Sequence, residues 1–420
     1  MLTPRPLRGE ARVPGDKSVT HRALLLGAVA SGETLVRGAL DALDTRSSAR
    51  CVRALGARVR WQRGGELAVL GTDELLSPSA PLDCGNAGTA ARLLLGLLAG
   101  RSGRWALTGD ESLRARPMGR VCAPLANLGA RIDGERLPLA VQGAPLSGGE
   151  LRVEVPSAQV KSALLLAGLV CDGPLTVEQP VPTRDHTERM LPAFGVRCQV
   201  DGARITLHPG RPAAAQIDVP ADPSAAAFLV LAALLTPGSE LALPGVGLWP
   251  RRTGWLDVLI RAGAPITVQA LREDGVDPVG TLHIRAADEG QLGALSVSPH
   301  EVPDLVDELP MLALAAARAQ GTSRFEGLAE LRVKETDRVA SIARLLGSLG
   351  VPVVVDGDSL SITGVRAFSA PPLRDPVDHR LALCADVARH VSGLSPEPDD
   401  GAGAVSWPGF GQVLAGLGEG

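Results

Sequence analysis

Pro14-Gly-Asp-Lys-Ser-Val-Thr-His-Arg-Ala-Leu-Leu-Leu-Gly-Ala-Val-Ala-Ser-Gly-Glu-Thr34 changes character halfway along. Up to Arg22 it is polar and cationic; from Ala23 to Ala30 no side chain remains that needs water. A helix this apolar has no solvent face and must be buried nearly all round. Ser31-Gly32 ends it, and Leu35-Val-Arg-Gly38 reads as a short strand. A second helix then closes at Ala54-Leu-Gly-Ala-Arg-Val59 before another strand.

The same pattern recurs along the chain. Apolar helices begin at Ala90-Ala-Arg-Leu-Leu-Leu-Gly96, Val160-Lys-Ser-Ala-Leu-Leu-Leu166, Ala225-Ala-Ala-Phe-Leu-Val230, Leu309-Pro-Met-Leu-Ala-Leu314 and Arg380-Leu-Ala-Leu-Cys384. A period of roughly 70 residues is longer than the usual solenoid repeat of about 20–50, so each copy reads as a small βαβαββ module. Three buried helices inside and sheets outside predict a two-domain inverted α/β barrel, with three βαβαββ repeats per domain. Pro14-Gly-Asp16 and Pro220-Ala-Asp-Pro223 are similar turn signals and mark the crossings. They predict one domain over 15–220 and a discontinuous one formed by 1–14 and 221–420. The hinge falls near 14–16 and 220–223, and a ligand site in the cleft is the default expectation.

A chain of 420 residues with this apolar content can bury two or three cores, and with five Phe, five Trp and no Tyr those cores must be aliphatic. The net charge of −4 comes without a basic block, which argues against nucleic acid. Six dispersed cysteines without a CxxC pair read as reduced and intracellular. They and the seven histidines show no metal-ligand spacing, so neither metal nor cofactor is expected. Met1 to Pro6 lacks the apolar core of a signal peptide, and the longest apolar run, Ala225 to Leu235, is too short to span a bilayer. The expectation is a cytoplasmic monomer that acts on small molecules, away from membranes.

Of 42 basic residues only Lys17, Lys161 and Lys334 are lysines, which suggests that a compact, titratable ammonium matters at each place. Gly15-Asp-Lys-Ser18 opens a buried helix, with Ser18 a plausible N-cap and Lys17 and Arg22 beside it, a suitable anion cradle. Gly85-Asn-Ala-Gly-Thr-Ala-Ala-Arg92 repeats that design with Thr89 as cap, and Arg114-Ala-Arg-Pro-Met-Gly-Arg120 adds three guanidinium groups. Pro156-Ser-Ala-Gln-Val-Lys-Ser162 supplies neutral donors, and Pro182-Thr-Arg-Asp-His-Thr-Glu-Arg189 is a dense polar helix start. Val302-Pro-Asp-Leu-Val-Asp-Glu-Leu-Pro310 places carboxylates before a buried helix, where one could act as a base. In Leu331-Arg-Val-Lys-Glu-Thr-Asp-Arg338, helical spacing would put Lys334 and Arg338 on one face, with Glu335 one step round. Asp378-His-Arg380 opens the sixth buried helix. Converging helix starts would add their dipoles into an electropositive pocket for anionic, phosphorylated substrates.

Read together and in order, these eight clusters resemble the EPSP synthase family of the shikimate pathway across essentially the whole chain. The resemblance implies two domains of three βαβαββ units and a cleft site for shikimate 3-phosphate and phosphoenolpyruvate. It implies transfer of the enolpyruvyl group to the shikimate 5-hydroxyl by addition and elimination of phosphate. Lys17, Ser18, Arg22, Ser157, Ala158, Gln159, Arg184, Asp307 and Lys334 match contacts to shikimate 3-phosphate. Lys17, Gly88, Arg116, Gln159, Arg338 and Arg380 match contacts to phosphoenolpyruvate. Asp307 corresponds to the base near the 5-hydroxyl and Glu335 to a group in proton transfer at the methylene carbon, with Lys17 as the other candidate there.

Two stretches depart from the family pattern. Trp249-Pro-Arg-Arg252 stands where many relatives read Asn-Pro-Thr-Arg, and Val405 stands where many carry a cleft lysine. Glycine at position 88, where some relatives have alanine, implies ordinary sensitivity to glyphosate. The sister enolpyruvyl transferase acting on UDP-N-acetylglucosamine is the nearest alternative; it would need Lys-Asn in place of Lys17-Ser18 and a reactive cysteine in a mobile loop, for which Cys122 is the only candidate near the corresponding region. A non-catalytic anion-binding scaffold is the other alternative, and it would not require Asp307 and Glu335.

Overall fold

The computed structural model describes residues 4–272, 277–286, 292–395, 397, 401 and 403–418. The chain divides into two compact units, Gly15–Val219 and a discontinuous one made of Met1–Pro14 with Pro220–Gly420.

Each unit is built on three buried helices, labelled in chain order α1 (Lys17–Val29), α2 (Gly88–Ala99), α3 (Ala158–Gly168), α4 (Pro223–Leu234), α5 (Leu309–Ala316) and α6 (His379–Val391). Every residue of α4 and α5 is buried, as their lack of any polar face requires. In the 15–219 unit α2 crosses α3 at Gly96, where a Cβ would lie 1.9 Å from the Ala163 carbonyl oxygen. Only glycine lets the two backbones approach that closely.

Four-stranded sheets flank these helices with one recurrent topology, in which a parallel first pair is followed by two antiparallel strands. In the 15–219 unit one sheet runs Gln216–Asp218, Glu33–Arg37, Leu67–Leu70, Arg58–Trp61, so its first strand comes from the far end of the unit. The second is Leu82–Asp83, Arg104–Thr108, Leu139–Gln142, Arg131–Asp133, and the third Gly149–Arg152, Leu175–Glu178, Arg204–Leu207, Cys198–Asp201. The other unit has a sheet opened by Arg8–Glu10 parallel to Glu240–Gly247, and one opened by Ser296–Val297 parallel to Thr322–Phe325. Inward residues such as Val36, Trp105, Val177 and Ile284 are fully covered while their neighbours face outward, the alternation expected of half-buried strands.

The sixth copy is reduced. It keeps α6 and a second helix, Phe410–Leu417, but has no strand among the described residues after Thr363. The segment from Ser395 to Gly403, rich in Pro, Asp and Gly, has no alternating apolar pattern from which to build one. Residues 396, 398–400 and 402 of that segment lie outside the described residues.

Candidate active site

In the 15–219 unit the start of α1 is organised by Asp16, whose Oδ1 accepts the Val19 N–H at 2.9 Å. The cap therefore falls to Asp16 and not to Ser18, which is the second helical residue. Aspartate caps as well as serine does, and the fully buried Asp16 holds the extended backbone a cap needs (φ −60°, ψ 121°). Lys17 is thereby the first helical residue, with its Nζ 3.0 Å from Asp44 Oδ2. Arg22, one turn on, donates from Nε to Thr187 Oγ1 and from a terminal nitrogen to Ser162 Oγ, each at 2.7 Å. Its other terminal nitrogen donates to the Ser18 carbonyl at 3.0 Å. Between the two cations lies fully buried His21, hydrogen bonded to Ser48 Oγ at 2.7 Å. Burial, with Lys17 and Arg22 adding repulsion, holds its pKa down at about 3, so the imidazole is neutral.

The start of α2 brings two arginines onto one glycine. A Cβ on Gly88 would stand 2.8 Å from an Arg92 terminal nitrogen and 3.0 Å from one of Arg116. Arg116 donates to Asn86 Oδ1 at 2.8 Å, and Asn86 donates to Asp110 Oδ2 at 2.8 Å. Of the three arginines in its run, Arg116 is the buried one, Arg120 is half-buried and Arg114 is exposed. Arg92 donates to Gln159 Oε1 at 2.9 Å, and Gln159 donates to Thr89 Oγ1 at 3.0 Å. Thr89 is thus a partner of Gln159 and not the cap; α2 starts at Gly88, after Ala87.

Ser157 caps α3, accepting the Val160 N–H, and Ala158 is its first residue. Arg184 is half-buried in the loop before the helix His186–Ala193. The middle one of the three lysines turns inward. Lys161 Nζ lies 2.6 Å from Glu188 Oε1, with both side chains about as covered as a core leucine (4% and 3% exposed).

In the other unit the centre is Arg338, the first residue of the helix Arg338–Ser348 and 1% exposed. It donates to Asp378 Oδ2 at 2.7 Å, Glu335 Oε2 at 2.6 Å and Asp307 Oδ1 at 3.3 Å. Burial alone would lower its pKa, but the charges of Asp378, Glu335 and Asp307 outweigh it and hold the pKa well above the usual arginine value. Arg380, at the start of α6, lies 3.5 Å from Asp307 Oδ2 and 3.8 Å from Glu308 Oε1. Asp378 caps α6 by accepting the Arg380 N–H at 3.0 Å, so one buried carboxylate orders both arginines. Glu308 accepts a short hydrogen bond from Ser224 Oγ at the start of α4.

The helical face expected over Lys334–Arg338 is absent. Lys334 and Glu335 follow a 3-10 turn, Leu328–Val333, and Lys334 has extended backbone (φ −84°, ψ −153°). Asp337 takes the cap of the next helix by accepting the Ala340 N–H, which places the two preceding residues outside it. Lys334 pairs instead with Glu330 at 3.2 Å. In Trp249-Pro-Arg-Arg252, buried Arg252 donates at 2.8 Å to Asp222 Oδ1, the cap of α4. Val405 ends a short 3-10 turn, Gly403–Val405. Cys122 is buried in the helix Gly119–Asn127, and burial with the Glu135 charge pushes its thiol up to about 11, far from a reactive thiolate. All six cysteines are thiols. Among the described residues no helix is long and apolar enough to cross a membrane, and no group of three His, Cys, Asp or Glu side chains is arranged to hold a metal ion.

The residues singled out in the sequence divide between the two units, and Asp307, Glu335, Arg338 and Arg380 contact one another in one of them. Nine of them, Lys17, Ser18, Arg22, Gly88, Arg116, Ser157, Ala158, Gln159 and Arg184, lie in the 15–219 unit. Asp307, Lys334, Glu335, Arg338 and Arg380 lie in the other. Arg92, Asp44 and Glu308 make direct contacts to these residues. Arg92 closes a motif already suspect for its glycines, and Glu308 adjoins Asp307. Asp44 carries no signal in the sequence beyond opening a helix.

The overall fold is that of a solved enolpyruvyl transferase. NikO of Streptomyces tendae superposes with a TM-score of 0.78 over 99% of this chain and 96% of its own, at 17% identity. The family described as EPSP synthase (3-phosphoshikimate 1-carboxyvinyltransferase) matches residues 2–414. The chain belongs to that family. It is 51% identical to a 3-phosphoshikimate 1-carboxyvinyltransferase of Thermus thermophilus, covering 97% of this chain and 96% of the relative. It is 48% identical to that of a Synechococcus species, covering 98% and 96%. The solved EPSP synthase of Acinetobacter baumannii superposes with a TM-score of 0.83 at 35% identity, over 99% of this chain and 96% of that one.

Proposed function

We propose that the chain transfers the enolpyruvyl group of phosphoenolpyruvate to the 5-hydroxyl of shikimate 3-phosphate, releasing inorganic phosphate. The observation that carries this reading is the Asp307–Glu335–Arg338–Arg380 cluster, in which two partly accessible carboxylates stand against two arginines. Anion binding alone needs the arginines; the carboxylates beside them suit proton transfer at the same place.

The chemistry asks for both. A proton must reach C3 of phosphoenolpyruvate while the 5-hydroxyl loses its proton and attacks C2. The tetrahedral adduct then loses a proton from C3 and expels phosphate, restoring the double bond. In this reading Asp307 takes the hydroxyl proton, and Glu335 and Lys17 handle the proton at C3. Arg116, Arg338 and Arg380 hold the carboxylate and phosphate of phosphoenolpyruvate, with Gly88 leaving room for them. Lys17, Ser18, Arg22, Ser157, Ala158, Gln159, Arg184 and Lys334 hold shikimate 3-phosphate. Fixed guanidinium groups suit the charge that builds on the departing phosphate, since they need little reorganisation as it forms. With Val405 where many relatives have lysine, that charge rests on the arginines. Residues 15–219 and the remainder act as two domains of one enzyme, with the crossings near 14–16 and 220–223 as hinge.

The test is phosphate release from phosphoenolpyruvate. Release is expected with shikimate 3-phosphate and not with UDP-N-acetylglucosamine. Release with the nucleotide sugar alone, or with neither acceptor, overturns the reading.

A further inference from the structure

We infer that Lys161 is a positioning residue: its buried pair with Glu188 sets where the shikimate 3-phosphate contacts stand. The inference rests on the reading given under Proposed function and assigns a role to two residues outside the contacts named there.

Lys161 Nζ meets Glu188 Oε1 at 2.6 Å and also donates to the Thr183 carbonyl at 3.4 Å. Thr183 precedes Arg184, and its hydroxyl donates to Gln179 Oε1 at 2.6 Å. The Gln179 amide in turn donates to the carbonyls of Val155 and Ser157, each at 3.4 Å. One series of buried and partly buried polar contacts therefore runs from Lys161 past Arg184 to Ser157. Beside it, Ser162 and Thr187 share a hydrogen bond at 2.8 Å, and both accept from Arg22. Lys161 and Ser162 are consecutive on α3; Thr187 and Glu188 are consecutive on the helix His186–Ala193. Two adjacent rungs fix both slide and rotation between the helices, which a single contact would not. Arg22, Ser157 and Arg184, three proposed contacts to one ligand, all hang on this frame.

The choice of residue types supports geometry over energy. Apolar side chains of equal volume usually hold a helix interface as well as a buried ion pair does, because desolvation offsets the attraction. An interface needing only adhesion would have no use for the pair. Lysine also gives what arginine does not here, a compact head able to donate to a carboxylate and a carbonyl in different directions.

The experiment separates position from stability. Lys161→Met leaves Glu188 buried without its cation and should lower Tm by roughly 10 °C. The double variant Lys161→Met/Glu188→Leu should regain most of that loss. Calorimetric titration with shikimate 3-phosphate alone should nevertheless show the double variant binding about tenfold more weakly than wild type. Thr183→Val, which cuts the series without disturbing a charge, should weaken binding several-fold while lowering Tm by only about half as much as Lys161→Met. Wild-type affinity in both the double variant and Thr183→Val would reduce the pair to a structural filler and overturn the inference. Failure of the wild type to bind shikimate 3-phosphate at all would instead overturn the functional reading on which the inference rests.

Discussion

Replacing Gly88 by alanine adds a single methyl group where two guanidinium groups converge. Its carbon would stand 2.8 Å from Arg92 and 3.0 Å from Arg116, whereas ordinary contact begins at 3.4 Å. The arginines must give by roughly 0.6 and 0.4 Å, which their flexible ends can do without moving the backbone. Gly88 lies in the first turn of α2 without a positive φ, so alanine suits the conformation, and Tm should hold or rise slightly. The cost falls on binding. A hydrogen bond to a charged group is worth about 1.5–3 kcal/mol, so weakening one by half predicts an increase of roughly tenfold in the KM for phosphoenolpyruvate. Because Arg116 also faces the charge that builds on the departing phosphate, a smaller fall in kcat should accompany the rise in KM. Arg92 also holds Gln159, so a smaller rise, about two-fold, is expected in the KM for shikimate 3-phosphate. Glyphosate should inhibit the wild type readily and the variant less. Steady-state kinetics with each substrate varied in turn, with and without glyphosate, makes the comparison. A KM for phosphoenolpyruvate within two-fold of wild type, with inhibition unchanged, would refute the idea that these arginines face that substrate.

Four further substitutions probe these residues. Lys17→Ala should abolish turnover while circular dichroism stays near wild type, since Asp16 and not Lys17 caps α1, and Tm should fall because Asp44 loses its cation; near-normal activity would remove Lys17 from the chemistry. Arg338→Met leaves Asp307, Glu335 and Asp378 without their common cation, and urea unfolding should show a loss of about 3–5 kcal/mol, against a smaller loss for Arg380→Met with its longer contacts. Equal losses would mean that Arg338 is not the keystone. His21 predicts a pH effect: its folded pKa of about 3 lies below the unfolded value of 6.5, so the unfolded chain binds the extra proton between those limits. Stability should therefore be lost as pH falls below 6.5, by about 1.4 kcal/mol per unit, and His21→Gln should remove that share of the slope; parallel curves would refute it.

How much of this was legible in the sequence follows from which interactions are local. The six buried helices could be read because a run such as Ala225-Ala-Ala-Phe-Leu-Val has no polar face to offer, whatever surrounds it. The conspicuous polar residues at their starts were equally legible. What each one does was not, because neighbours compete for the same backbone N–H groups. Asp16 took the cap assigned to Ser18, and Asp337 took one that turned an expected helical face into an irregular approach. The lysines make the point more sharply. Scarcity singled out Lys17, Lys161 and Lys334 alike, yet one meets Asp44 at the start of a helix, one is sealed against Glu188, and one pairs with Glu330. Nothing near Lys161 in the chain foretells its partner, since Glu188 lies on a different helix. The scarcity of a residue type thus marks places where its chemistry is needed, and only tertiary partners say whether that need is for the substrate or for the frame that holds the site.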